Sequence, residues 1–168
     1  MTTRWASALL DWYAENRRDL PWRRTHDPYA IWISEVMLQQ TRVETVVPYY
    51  RRWRRRFPTI GRLASARSGQ VLAAWEGLGY YRRALQLREA ARLIEREYGG
   101  RMPRTIAELR RRPGIGPYTA AAVAAFAYDA DEIALDGNLR RVLSRLIDLP
   151  VDPRSPAGES RLLRFARR

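Results

Sequence analysis

Two carboxylates and one glycine turn carry the chemical content of this chain. Asp136 opens the run Asp136-Gly137-Asn138-Leu139-Arg140-Arg141, twenty residues after Gly116 in the turn Pro113-Gly114-Ile115-Gly116. Glu35 lies in the apolar stretch Ile31-Trp32-Ile33-Ser34-Glu35-Val36-Met37-Leu38. A Gly-x-Gly turn between helices lets the backbone approach a phosphate oxygen that side chains would block. The N–H groups of Gly114, Ile115, Gly116 and the next helix start then face the anion. Such a contact positions a duplex without reading its sequence. The plain alternative is an interhelical turn with no ligand.

Asp136 stands just before a predicted helix, where Asp-Gly-Asn most often serves as a turn or cap. The positive helix end also favours an ionised carboxylate, able to stabilise a cationic sugar or attack its C1′. Glu35 has the opposite setting. With Trp32, Val36, Met37 and Leu38 around it, desolvation favours the protonated form that a general acid needs. The alternative is a half-exposed glutamate paired with an arginine. Together the two carboxylates point to chemistry on a glycosidic bond. Gln39, Gln40, Tyr80 and Tyr81 are candidates to wedge into or stack on bases, since a flipped nucleotide leaves a hole; each could equally be a packing residue. The run Arg51-Arg52-Trp53-Arg54-Arg55-Arg56 spreads around a helix and reads as a solvated face. His26 has no metal-ligand companions and receives no role.

Composition narrows the chemistry. The 168 residues carry a formal net charge of +13, which favours a polyanionic partner such as nucleic acid. All 31 basic residues are arginine. With no lysine, only the N-terminal amine could form a Schiff base with an opened sugar, so a lysine-dependent strand-cleaving lyase is excluded for this chain. There is no cysteine, which excludes disulfides, thiolate zinc sites and cysteine-held iron–sulfur clusters within these residues. No apolar run approaches the ~18 residues of a membrane helix, and a reducing, intracellular (cytoplasmic) setting is the expectation.

The elements that must position these groups read as helices almost throughout, without strand-type alternation. Trp5, Ala8, Leu9, Trp12 and Tyr13 form a helical stripe. Asp27-Pro28 caps a helix expected from about Pro28 to Gln40. Val43 to Trp53 follows, with Pro48 as a break or start. A long helix runs from about Tyr81 to Tyr98 and stops at Gly99-Gly100. Thr105 and Glu108 have the spacing of a capping box for a short helix through about Arg111. An Ala-rich helix spans about Thr119 to Tyr128, another about Leu139 to Ile147, and a last one Ser160 to Arg168.

Five ordered blocks resemble the MutY-type adenine DNA glycosylases of the endonuclease III, or helix-hairpin-helix, superfamily. They are Leu20-Pro21-Trp22-Arg23, WISEVMLQQT from Trp32 to Thr41, WEGLGYY from Trp75 to Tyr81, PGIGPYT from Pro113 to Thr119, and LDGNLRR from Leu135 to Arg141. The resemblance implies an all-α helix-hairpin-helix glycosylase fold, with a six-helix barrel domain and an incomplete second helical domain. Residues 1–27 and 139–168 are expected in the second lobe, and 28–138 in the barrel with the hairpin at about 105–128. It implies removal of adenine mispaired with 8-oxoguanine or guanine from double-stranded DNA, by a monomer. Glu35 corresponds to the acid that protonates adenine at N7, and Asp136 to the aspartate that stabilises the oxocarbenium ion. Asn138 and Tyr118 correspond to supporting site residues, Trp22 and Arg23 to the adenine pocket, and Gln40 and Tyr80 to residues inserted in the duplex. A thymine-mismatch glycosylase of the same superfamily is the near rival. A non-catalytic DNA-binding fragment is the rival from another class. Tyr118 stands where the lyase branch has lysine.

Two departures from the family pattern stand out. Arg112 precedes Pro113 where the family has an apolar residue. Relatives also continue past the position of Arg168 into a segment that binds a [4Fe–4S] cluster through four cysteines, and then into a domain that senses 8-oxoguanine. The expectation is therefore of a truncated relative, with a cluster-free lineage as the alternative.

Overall fold

The computed structural model describes residues 4–167, all of whose regular elements are helical. Contacts divide the chain into two units, Leu20–Ala134 and a second built from the stretch through Asp19 together with Leu135 onward. The division falls at Leu20 and Leu135, where the sequence reading sets boundaries after residues 27 and 138. The 3₁₀ turn Pro21–Arg24 belongs to the first unit because Trp22 is buried edge-on against Tyr50, with ring centroids 5.3 Å apart.

The second unit holds α1 (Arg4–Asn16), α9 (Gly137–Leu146) and α10 (Pro156–Ala166). Leu135, Leu143 and Leu162 form its small core. Trp5 of α1 stacks on Phe165 of α10 at 5.7 Å, while Leu9 and Trp12 of the N-terminal stripe remain more than half exposed.

The first unit centres on α2 (Pro28–Met37), in which every residue from Tyr29 to Met37 is buried. The Asp27 carboxylate accepts the Tyr29 N–H at 3.0 Å and Pro28 opens the helix, which fixes its start. A helix apolar on all sides must be enclosed, and α2 is enclosed by α3 (Val43–Arg56) and α8 (Pro117–Tyr128). Ala120, Ala121, Ala122 and Ala124 of α8 are buried and small, which permits close approach. Pro48 neither breaks nor starts α3. The buried face Val46, Tyr50 and Trp53 carries the helix through it. Trp53 meets Trp75 edge-on at 5.3 Å, a geometry adding about 0.5–1.5 kcal/mol beyond simple burial.

Two helices escape the sequence reading: α4 (Ile60–Ser65) and α5 (Ser68–Trp75). Each buries only two apolar side chains, Ile60 with Leu63 and Val71 with Trp75, too few to show a period. The long helix α6 (Arg82–Tyr98) ends at Gly99, whose φ of 58° is left-handed. The capping box of α7 (Ile106–Arg110) forms as its spacing implies: the Glu108 N–H donates to Thr105 Oγ1, and the Thr105 N–H to Glu108 Oε2. Among the described residues no helix is long and apolar enough to cross a membrane.

Arg112, anomalous in sequence, is buried under the hairpin. Its guanidinium pairs with Glu97, donates through Nε to the Glu108 carbonyl at 3.3 Å, and lies 5.5 Å from the Tyr98 ring centre. A charged residue is accommodated there because α6 offers it a carboxylate and an aromatic face. Hydrogen bonds from Arg112 and then Arg96 hold the Glu97 carboxyl below its ordinary value of 4.5. The pair's contribution to stability is therefore complete above that value and is lost as pH falls through the lower folded one. Thermal melts taken from about pH 6 down to about pH 3 should show a shallower loss of Tm for Glu97→Gln than for wild type; an unchanged slope would show the pair to be silent.

Candidate active site and nucleic-acid interface

Helices α7 and α8 and the turn between them form the helix-hairpin-helix. Gly114 has φ +76°, and a Cβ there would lie 2.9 Å from Cβ of Gln86 on α6, so both conformation and space require glycine. Gly116 differs. Its φ is −81°, and a Cβ there would meet nothing within 4 Å. Gly116 is the N-cap of α8 without a side-chain cap, and Pro117 occupies the first helical position. The helix start therefore presents uncovered backbone on an exposed turn. Ile115, between the glycines, is buried and anchors the turn from below.

Glu35 is 8% exposed, on the buried helix α2, as its apolar neighbours suggest. Two residues on, α2 ends at Met37, short of the expected Gln40. The cause is Arg83 on α6. Its Nη1 donates to the carbonyls of Val36 (2.9 Å), Met37 (3.1 Å) and Gln39 (2.6 Å). Its Nη2 donates to Thr41 Oγ1 and to the carbonyls of Leu78 and Gly79, each at 3.3 Å. Only 8% exposed, Arg83 has a pKa lowered from the ordinary arginine value by burial. A cation at the end of α2 answers both the helix dipole and the unpaired last carbonyls.

Arg83 was missed by sequence reasoning, one arginine among many. A signal was present: Arg83, Leu87, Ala90 and Ile94 share one helical face, and all four are buried. An arginine in register with an apolar stripe needs acceptors inside the fold.

The duplex-facing candidates separate. Gln40 and Tyr80 are exposed, and both are left-handed non-glycine residues, with φ of 57° and 48°. Such backbone costs about 1–2 kcal/mol per residue and persists where the surroundings impose it. Gln39 instead turns inward, its Nε2 donating to Thr119 Oγ1 of α8 at 3.5 Å. Tyr118 is half-buried on the first turn of α8. Trp22 is buried beside Tyr50, whereas Arg23 is exposed. In the run Arg51–Arg56, Trp53 is core and Arg54 pairs with Asp27 at 2.8 Å, so only part of that face is solvated.

Asp136 caps α9. Its Oδ1 accepts the Leu139 N–H at 2.7 Å, and its Oδ2 receives Asn138 Nδ2 at 3.3 Å. Asn138 Oδ1 in turn accepts from Arg141 at 2.9 Å. Asp136 is half-buried. Among the described residues no three His, Cys, Asp or Glu side chains are grouped to hold a metal ion. The iron–sulfur cluster implied for longer relatives needs thiolates that this chain does not possess, so no step runs through it.

Residues 33–164 match the family described as HhH-GPD superfamily base excision DNA repair protein. The chain is 46% identical to the adenine DNA glycosylase of Mus musculus over 91% of its own length and 32% of that protein. It is 49% identical to the adenine DNA glycosylase of Mycolicibacterium smegmatis over 83% of its length and 48% of that protein. The chain thus spans about a third to a half of these curated relatives. Among solved structures, a thermostable thymine-DNA glycosylase superposes with a TM-score of 0.78 at 33% identity, covering 82% of this chain and 64% of that one. An endonuclease III–DNA complex superposes with a TM-score of 0.77 at 23% identity, covering 99% and 78%, which shows a shared fold. The hairpin, the helical architecture and a family match over most of the chain agree: the protein belongs to the HhH-GPD superfamily of base excision DNA repair proteins.

Proposed function

We propose that this chain carries the catalytic part of a monofunctional DNA glycosylase that releases adenine mispaired with 8-oxoguanine or guanine. The observation that carries the reading is the burial of Glu35 on an apolar helix that ends three residues before the exposed, left-handed Gln40. In this scheme Glu35 donates a proton to N7 of the flipped adenine. The C1′–N9 bond breaks with its electron pair leaving on the base, and the Asp136 carboxylate stabilises the sugar cation. Water adds at C1′ and gives up a proton, restoring Glu35. Asn138 orients Asp136, Tyr118 supports the site, and Trp22 and Arg23 belong to the adenine pocket. The Gly114–Gly116 turn holds a phosphate, while Gln40 and Tyr80 enter the duplex. The charge of +13 suits the DNA partner. With no lysine, no lysine Schiff base can form, and the expected product is an abasic site with the strand intact.

Single-turnover assays on duplexes carrying A·8-oxoG, A·G and T·G pairs test the reading. Adenine release with an alkali-labile, unnicked product is expected. Excision confined to T·G would favour the thymine reading that the solved thymine-DNA glycosylase supports. Binding without excision of either base would favour a DNA-binding module. Glu35→Gln and Asp136→Asn should each slow excision by about 10²-fold or more. Asparagine caps helices as well as aspartate does, so Asp136→Asn separates charge from fold. Wild-type rates in that variant would remove Asp136 from the mechanism.

The two hairpin glycines give a second test. Gly116→Ala meets no atom and no strained φ, so its stability cost should stay below about 1 kcal/mol while DNA affinity falls. Gly114→Ala should lose both stability and affinity, through its left-handed φ and the contact with Gln86. Full DNA affinity in the Gly116 variant, measured by fluorescence anisotropy, would refute a phosphate contact at that turn.

A further inference from the structure

One buried guanidinium reaches the backbone immediately before Gln40 and before Tyr80, two of the four left-handed non-glycine residues among those described. Arg83 donates to the Gln39 carbonyl, which precedes Gln40, and to the Gly79 carbonyl, which precedes Tyr80. The two turns lie far apart in sequence, and α6 brings Arg83 to both. Each contact has reinforcement. Thr41, on the far side of Gln40, also receives Arg83 at its hydroxyl, and the Gly79 carbonyl takes a second hydrogen bond from Trp75 Nε1 at 3.0 Å. The guanidinium carbon lies 5.2 Å from the Trp75 ring centre and 5.4 Å from that of Tyr80 itself. Neither Gln nor Tyr adopts this backbone readily. Both therefore depend on what grips the adjacent peptide groups.

We infer that Arg83 is a positioning residue that clamps the Gln40 and Tyr80 turns to each other and to the end of α2, so that both side chains meet the duplex as one preformed wedge. The inference rests on the proposed insertion of Gln40 and Tyr80 into DNA. The planar fork matters, because six acceptors are divided between its two terminal nitrogens. A lysine would keep the charge but could not span both turns. Arg83 touches no base or sugar in this scheme and acts only through the residues it holds.

An epistasis experiment tests this. The probe is an A·8-oxoG duplex with 2-aminopurine beside the adenine, whose fluorescence reports unstacking, and single-turnover excision is measured in parallel. Arg83→Lys in the wild-type background should slow unstacking on the order of tenfold, as should the Gln40→Ala/Tyr80→Ala double variant. Adding Arg83→Lys to that double variant should change unstacking less than about twofold, because the residues it acts through are already gone. Multiplied losses in the triple variant, or a wild-type rate for Arg83→Lys alone, would overturn the clamp. A wild-type rate for the double variant would instead overturn the wedge reading on which the clamp rests. Should Arg83→Lys fail to fold, thermal melts of the wedge positions decide. Gln40→Gly and Tyr80→Gly should each melt higher than the matching alanine variant, since a clamped left-handed backbone suits glycine. Alanine variants as stable as the glycine ones would show that these turns are not held.

Discussion

A helix buried on every side cannot leave its last carbonyls to water, and in α2 they are met by a side chain from elsewhere in the fold. Arg83 supplies that match, reaching Val36 and Met37 from α6. The same guanidinium continues to Gln39, Thr41, Leu78 and Gly79. Enclosure of α2 is what keeps Glu35 away from solvent, and the arginine is what allows the enclosed helix to end. Burying one charge beside six acceptors is tolerable because its two terminal nitrogens donate to them.

The hairpin solves a related problem with different means. Its turn must come close to an anion, so it carries no large side chains at Gly114 and Gly116, yet it needs anchoring. Ile115 anchors it by apolar burial, Gln86 of α6 limits the space beside Gly114, and Arg112 ties the end of α7 to Glu97. A buried arginine thus recurs on α6's flanks at both places where a loop must be exposed and still fixed. Removing lysine from the composition does not by itself explain this. The fork geometry of arginine, with donors on two nitrogens, is what bridging several carbonyls requires.

Local signals were legible where the physics is local. Asp27-Pro28, the Thr105/Glu108 box, the Gly99 stop and the Asp136 cap all involve groups within a few residues of each other, and all form as their spacing implies. The short helices α4 and α5 were not legible, since their stability comes from packing against α6 and α3 more than from any repeating pattern. Pro48 misled for the converse reason: the buried side of α3 overrides a local penalty. Gln39 and Gln40, adjacent and identical in type, were equivalent in sequence. The left-handed turn at Gln40 sends one to Thr119 and leaves the other exposed.

From the residues alone came an all-helical chain of strong positive charge, a glycine hairpin, a capping aspartate, and the absence of any lysine or cysteine chemistry. Those conclusions depend on composition and on neighbours in sequence, which folding does not change. Only the tertiary structure decided that Glu35 is enclosed, that Arg112 is satisfied by Glu97, and that Arg83 joins two turns and a helix end. Each of these depends on groups brought together across long stretches of chain, as from Val36 to Arg83. The cost of burying a charge is set by such partners, and a sequence does not display them.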